Sequence, residues 1–595
     1  MNIIERLKKL RSLMDTRGLA AYLVPSTDPH QSEYVPHRWR RRAFISGFDG
    51  SAGTVVVTLD NAGLWTDSRY FLQAEEQLRD TGITLFKMGE PGVPEIDEWL
   101  KEQLGPGDRI GLDPAVYSVS NYGMLQSILG PKGISLHPVI PDLVDQVWAD
   151  DLPALPKARL RVHPMEYAGE SVGSKLGRLR EALSGDNAKA ILLCALDEIA
   201  WLFNLRGSDI DYNPVFLSFA LVTAESATLF LDQEKVGPEV EKHLSDLVTI
   251  QSYEAIDEAL LDIARRKAAI WIDPDTTGQR LADLLGQETT IIRKNSPIAR
   301  WKSIKNEVEI QGMRQAHLRD GVAMVKFLAW LDKAVEQGGQ TEISIADKLE
   351  EFRSADERLA GLSFETIAGY GPHGAIVHYA ANEATNAPLE NKGLLLVDSG
   401  GQYLDGTTDI TRTIALGKPT KEEKQAYTSV LKGHLALANA RFPVGTNGYQ
   451  LDVIARSPLW NRSLNYGHGT GHGVGAFLCV HEGPFSISLR KNLTPLESGQ
   501  ITSNEPGLYK TGEFGIRIEN LMLVTGPEES SFGSFLSLEH LTMVPYDLRL
   551  IDQTMLNREE KKQVNRYHEM VREKLSPLLE KDALEWLEDS TRLLK

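Results

Sequence analysis

Along the first half of the chain, apolar positions switch repeatedly between helical spacing and strand spacing. Ile3, Leu7, Leu10 and Met14 recur at helical intervals among charges. Ala20 to Val24 is an apolar strand, Gly53 to Leu59 with Gly63 to Thr66 predicts a hairpin, and helical spacing returns over Tyr70 to Leu78. The same order recurs further on, with a helix at Ser174 to Leu183, a strand at Ala190 to Cys194, and paired strands at Val215 to Val222 and Ala227 to Leu231. Leu152 to Lys157, with two prolines, predicts a linker between the two copies. The pattern therefore predicts two duplicated α/β domains, residues 1–152 and 158–300, ahead of a third domain of mixed helices and strands at 301–595.

The third domain opens on Asn306-Glu-Val-Glu309, a capping box. Its helix runs through Ile310, Met313, His317, Val325, Leu328 and Leu331 to Gly338, which makes His317 a structural residue. A second helix follows Thr341. Strands and turns dominate from about 362 to 525, interrupted by helices at Lys421 to Arg441 and Leu451 to Arg456. The charged tail beyond Arg558 is helical, and no neighbouring helix in sequence covers its stripe of Tyr567, Met570, Val571 and Leu575. That uncovered stripe points to a homodimer through the third domain.

Composition narrows the function classes. At 595 residues the chain is too long for one core, and 42% apolar with 25% charged residues is ordinary for a globular protein. A formal charge of −18 argues against nucleic-acid and anionic-membrane partners. No run of about 18 apolar residues offers a membrane span, and the N-terminal residues lack the apolar core of a secretory signal. Two cysteines, Cys194 and Cys479, are too few for a disulfide framework or a thiolate metal site, and each is expected to be a small buried hydrophobe. A cytoplasmic setting is expected.

The candidate chemistry centres on Leu394 to Arg412, LLLVDSGGQYLDGTTDITR. An apolar strand delivers Asp398, a Gly-rich turn follows, and a returning strand carries Asp409. Alternation puts Leu394, Leu396 and Asp398 on one face, as it does Asp409 and Thr411. Two carboxylates brought that close repel unless a proton or cation separates them, although two solvated aspartates at a turn would look the same. Further on, His468 and His472 stand in the Gly-saturated loop Tyr466-Gly-His-Gly-Thr-Gly-His-Gly473, where no helix face buries them. Glu505 precedes a Pro-Gly turn, and Arg517 and Glu519 alternate along Gly515-Ile-Arg-Ile-Glu519. Four carboxylates and one imidazole suit two Mn2+, Co2+ or Fe2+ ions better than one structural zinc.

These residues resemble the creatinase-like "pita-bread" metallopeptidases. Asp398, Asp409, His472, Glu505 and Glu519 match the family's metal ligands, and His468-Gly-Thr-Gly-His472-Gly-Val-Gly with Val480-His-Glu-Gly-Pro484 is similar to its proline-specific aminopeptidases. The resemblance reaches the whole chain. His30 to Tyr34, Ser46 to Gly53 and Thr66 to Gln73 in front, with Glu539-His-Leu-Thr and Ala583-Leu-Glu-Trp586 behind, are similar to the long three-domain cytosolic form. Leu508, Ser68 and Cys479 stand where the family often has Tyr, Gly and Asn.

The resemblance implies two divalent ions per chain, Mn2+ first and Co2+ second. Asp398 chelates one, His472 and Glu505 hold the other, and Asp409 and Glu519 bridge. It further implies that His378, His468, His481 and Arg517 surround the metals, that Glu505 takes the proton of the attacking water, and that Arg69 reaches substrate from the first domain; the shared face of Arg517 and Glu519 adds that Arg517 orients that carboxylate. The implied activity releases the first residue from peptides with proline second. A prolidase, confined to X-Pro dipeptides, and a metal-free binding module of the same fold are the alternatives. The duplicated front half and the five intact ligands weigh against them.

Overall fold

Six strands form the first sheet: β1 (Ala21–Val24), β2 (Thr54–Thr58), β3 (Ala62–Thr66), β4 (Thr84–Lys87), β5 (Arg109–Leu112) and β6 (Ser135–Pro138), in spatial order β4-β3-β2-β1-β5-β6. A second sheet contains β7 (Ala190–Leu193), β8 (Ser218–Thr223), β9 (Ala227–Leu231), β10 (Thr249–Gln251), β11 (Ile270–Ile272) and β12 (Ile291–Arg293), in order β10-β9-β8-β7-β11-β12. The two orders are the same, and so are the directions. β1–β2 and β7–β8 are antiparallel. β3–β4, β9–β10, β5–β6 and β11–β12 are parallel. The duplication is thus a duplication of topology, carried by apolar strands buried on both faces, such as Ala21 to Val24 and Ala190 to Leu193.

This computed structural model describes residues 1–595. The chain forms two compact units, residues 1–163 with 170–298, and residues 164–169 with 299–595. The two duplicated sheets share the first unit. His30 ties its halves: Nδ1 lies 3.0 Å from the Cys194 carbonyl and Nε2 2.8 Å from the Tyr253 hydroxyl.

In the second unit, helix α1 (Glu307–Gln337) starts where the capping box places it. The Asn306 side chain accepts from the Val308 and Glu309 amides, and Glu309 accepts from the Asn306 amide. Gly338, at φ 77°, ends it. Then come α2 (Glu342–Arg353), α3 (Lys421–Ala438), α4 (Gly448–Trp460) and α5 (Arg558–Leu575). Strands β13 (Ile367–Tyr370), β14 (Leu394–Ser399) and β15 (Ile410–Ala415) form one sheet with β14 central. β16 (Gly471–Gly473), β17 (Glu482–Ile487), β18 (Ile501–Asn504), β21 (Asn520–Ser530) and β22 (Gly533–His540) belong to another, and β19 (Gly507–Lys510) with β20 (Phe514–Arg517) is a hairpin between β18 and β21. No helix is long and apolar enough to cross a membrane.

Three expectations change. The α5 stripe is covered by its own unit: Tyr567, Val571 and Leu575 are buried in one cluster with Tyr427, Val430, Met543 and Tyr546. Their partners lie on α3 and on the loop after β22, away from the tail in sequence, so the stripe offers no surface to a second subunit. Cys194 is buried, but Cys479, in the loop before β17, is only half-buried. Helix α4 extends a turn beyond the expected span on both sides.

Candidate active site

The strand registers build the site. Asp398 lies directly opposite Thr411 in the β14–β15 ladder, so Asp398, Thr411 and, two residues before it, Asp409 share one face. In the other sheet Asn504 pairs with Asn520, so Glu505 and Glu519 flank the end of that ladder together. Two bonds between Thr411 and Glu519 help to join the sheets here. The Glu519 amide donates to the Thr411 carbonyl at 3.1 Å, and the Thr411 hydroxyl donates to Glu519 Oε2 at 2.8 Å. His472, in β16, places Nδ1 3.0 Å from the Gly473 carbonyl, which makes that nitrogen the donor. Its Nε2 is left 3.5 Å from Asp409 Oδ2 and 3.4 Å from Glu505 Oε1. Potential ligand atoms of Asp409, His472 and Glu519 all lie within 4.8 Å of one another.

The electrostatics of this cluster call for positive charge. Burial, then repulsion from Asp409 and Glu505, raises the Asp398 carboxyl to about 6 against the pull of Arg517. Burial and the charges of Asp409, Glu505 and Asp398 push Glu519 well above the usual range. Burial alone would depress His472, but hydrogen bonding to Asp409 and the Glu505 and Asp409 charges outweigh it and raise the ring to about 9. Asp398 Oδ2 accepts from Arg517 Nη2 at 2.6 Å, whereas Oδ1 is buried with no protein partner. An orphaned carboxylate oxygen beside three more acids and an imidazole is the donor set that hard divalent ions take. The residues fit two such ions.

Around these groups the structure places the other sequence candidates as follows. Arg517 sends Nη1 to the Tyr509 hydroxyl at 2.7 Å and Nε to the Thr411 hydroxyl at 3.1 Å. It does not bond Glu519 directly, as alternation suggested; its carboxylate partner is Asp398, and it reaches Glu519 only through the Thr411 hydroxyl. The reason is that β20 ends at Arg517 and pairing resumes only at Asn520, so the two-residue period breaks between them. His468 Nε2 meets the Tyr509 hydroxyl at 2.8 Å. The His481 ring packs edge-on against His472 with centroids 4.4 Å apart. His378 follows Val377, whose carbonyl lies 3.4 Å from Arg517 Nη2. His373, in the same loop, instead pairs with Glu342 at 2.9 Å. Arg69 belongs to the first unit, where Asp67 holds its guanidinium through two bonds of 2.8 and 2.7 Å. Tyr509 and Ser503, which donates to Glu505 at 3.1 Å, escaped the sequence reading. Tyr509 is two residues beyond Gly507, the cross-strand partner of Arg517, and only the register reveals that.

Comparison with known proteins settles the family. The profile for the creatinase/prolidase N-terminal domain matches twice, at residues 6–145 and 151–309. That for metallopeptidase family M24 matches 311–526, and that for the C-terminal region of peptidase M24 matches 534–594. A probable Xaa-Pro aminopeptidase P of Laccaria bicolor is 46% identical over 601 residues, covering 99% of this chain and 93% of the relative. The chain belongs to metallopeptidase family M24, with the Xaa-Pro aminopeptidases. The crystal structure of X-prolyl aminopeptidase from Caenorhabditis elegans, described as a cytosolic enzyme with a di-nuclear active site, superposes with a TM-score of 0.96 at 36% identity, covering all of both chains. An Xaa-Pro dipeptidase from Bacillus anthracis, 25% identical with a TM-score of 0.52, covers 99% of its own chain but only 64% of this metalloexopeptidase.

Proposed function

We propose that Asp398, Asp409, His472, Glu505 and Glu519 hold two divalent ions, with which this metallopeptidase releases the first residue from peptides whose second residue is proline. The observation that carries this reading is the convergence of those five side chains on one buried, positively deficient point with the Asp398 Oδ1 oxygen unpartnered. In this arrangement Asp398 would serve one ion, His472 and Glu505 would serve the other, and Asp409 and Glu519 would serve both. The oxygen-rich set favours Mn2+, with Co2+ able to replace it. The ions supply Lewis acidity toward the scissile carbonyl and a water reactive at neutral pH.

The chain's own groups do the rest. Glu505, steadied by Ser503, accepts the proton of the attacking water. His481, against His472, and His378, on the Arg517 side, orient the scissile carbonyl and return a proton to the departing proline nitrogen. His468 and Tyr509 brace Arg517, which fixes Asp398. The scissile amide is tertiary and has no N–H to recognise, so specificity rests on the proline ring and the free amine. We also assign Arg69 a substrate contact.

The peptide extends past the proline, a reading supported by the likeness over the whole length of both chains to the X-prolyl aminopeptidase of the worm. Arg-Pro-Pro should be cleaved at its first bond with kcat/KM well above that for Ala-Pro, while Ala-Ala-Pro resists. A preference for Ala-Pro with an inert tripeptide would make the enzyme a prolidase, whose buried carboxylate clamp rejects longer chains. The cytosolic description of the worm enzyme supports a cytoplasmic location. A homodimer through the second unit is supported by α4, which exposes Tyr449, Val453 and Trp460 along one side.

A further inference from the structure

Arg412 is almost wholly buried, and no carboxylate faces it. Its acceptors are all neutral. Nε donates to the Pro545 carbonyl at 3.1 Å. Nη1 donates to the Thr411 carbonyl at 2.9 Å and the Glu519 carbonyl at 2.6 Å. Nη2 donates to Asn520 Oδ1 at 2.8 Å, the Val544 carbonyl at 2.7 Å and the Tyr567 hydroxyl at 3.1 Å. A guanidinium has five N–H groups in a rigid plane, and here every one is used. The partners come from three places: β15, which carries Thr411 just after Asp409; the turn into β21, which carries Glu519; and the C-terminal region, which supplies Val544, Pro545 and, on α5, Tyr567.

A buried cation with six neutral acceptors is costly unless its geometry is complete. The geometry is therefore informative. Two of the six acceptors are the backbone carbonyls of Thr411 and Glu519, the same two residues joined by the Thr411 hydroxyl and the Glu519 amide. We propose that Arg412, held in place by Tyr567, is a positioning residue that sets the separation of Asp409 and Glu519, so that the C-terminal region is part of the support of the metal centre. The proposal rests on the reading of those acids as metal ligands. It requires the plane of the guanidinium to be fixed from behind, and Tyr567 does that: its hydroxyl lies 2.8 Å from the Val544 carbonyl and 3.0 Å from that of Thr542 and accepts from Arg412.

The test is Mn2+ binding to metal-stripped full-length protein, read by calorimetry, with thermal unfolding of the stripped form alongside. Loss of an outer partner of a metal ligand typically weakens binding about 10–100-fold. Tyr567→Phe should weaken Mn2+ binding by about 10-fold while the metal-free protein unfolds within a few degrees of the parent. Arg412→Lys, which cannot reach three elements at once, should weaken it further. Val571→Ala, on the same helix but making no bond to Arg412, should lower the unfolding temperature and leave Mn2+ affinity unchanged. Parental affinity in Tyr567→Phe, or equal weakening in Val571→Ala, would overturn the proposal, the second result showing that tail stability alone governs binding. A parent protein that binds no Mn2+ would instead overturn the ligand assignment beneath it.

Discussion

Asp398 meets Arg517 on one oxygen and nothing on the other, and that asymmetry sets how the metal-free protein responds to pH. Its carboxyl titrates near 6 in the fold, chiefly through burial, against 3.8 for the free side chain. The fold thus keeps a proton that the unfolded chain has lost, so stability falls as pH rises between those values. Glu519 shifts in the same direction, and His472, raised to about 9, extends the loss to higher pH. Metal-stripped protein should accordingly melt at lower temperature at about pH 7.5 than at about pH 5. Added Mn2+ should raise the melting temperature more at the higher value, because the ligands must first give up protons. Calorimetric scans at both pH values check this; a Mn2+ shift that is larger in acid would contradict it. His481 belongs to the same scale. It packs against a ligand without an assigned ligand role, so His481→Ala should lower kcat by about 10²–10⁴ with two ions still bound, the size of lost acid–base help. Metal analysis of the purified variant separates this outcome from simple metal loss.

At the scale of elements, what sequence conveys depends on how local the determinant is. The Asn306 capping box, the Thr341 cap and the apolar strand ending in Asp398 are decided within a few residues, and the elements form where the pattern places them. The acids at strand ends were visible for the same reason. The pairing of Arg517 with Asp398, the grip of Thr411 on Glu519 and the place of Tyr509 depend on the register between strands far apart in sequence, which no local pattern encodes. The α5 stripe was legible as apolar, but its destination among Tyr427, Met543 and Tyr546 was not. One close approach between elements is directly testable. A Cβ on Gly515 in β20 would meet the Gly374 carbonyl oxygen at 1.6 Å, and Gly374 begins the segment leading to His378. Gly515→Ala must displace that segment or strand β20 with Arg517. It should cost about 1–3 kcal/mol of stability and lower kcat at least about 10-fold. Parental stability and turnover would show that the segment moves without consequence.

For the whole molecule, the covered tail moves the dimer assignment to the outer side of α4, whose inner side packs in its own unit while Tyr449, Val453 and Trp460 stay exposed. Sedimentation at micromolar concentration should show a dimer, and Val453→Glu, which places a charge among Tyr449, Val453 and Trp460, should shift it to monomer without changing metal content. A monomeric parent would remove the dimer from the account.

The central claim is that five side chains from two sheets make one dinuclear centre that acts on proline-second peptides. The most direct measurement is a titration of metal-stripped protein with Mn2+, following cleavage of the first bond of Arg-Pro-Pro. Activity should be absent at the start, rise with added metal and level off at two equivalents per chain. Full activity before any Mn2+ is added, or a plateau with no cleavage at any metal content, would contradict it.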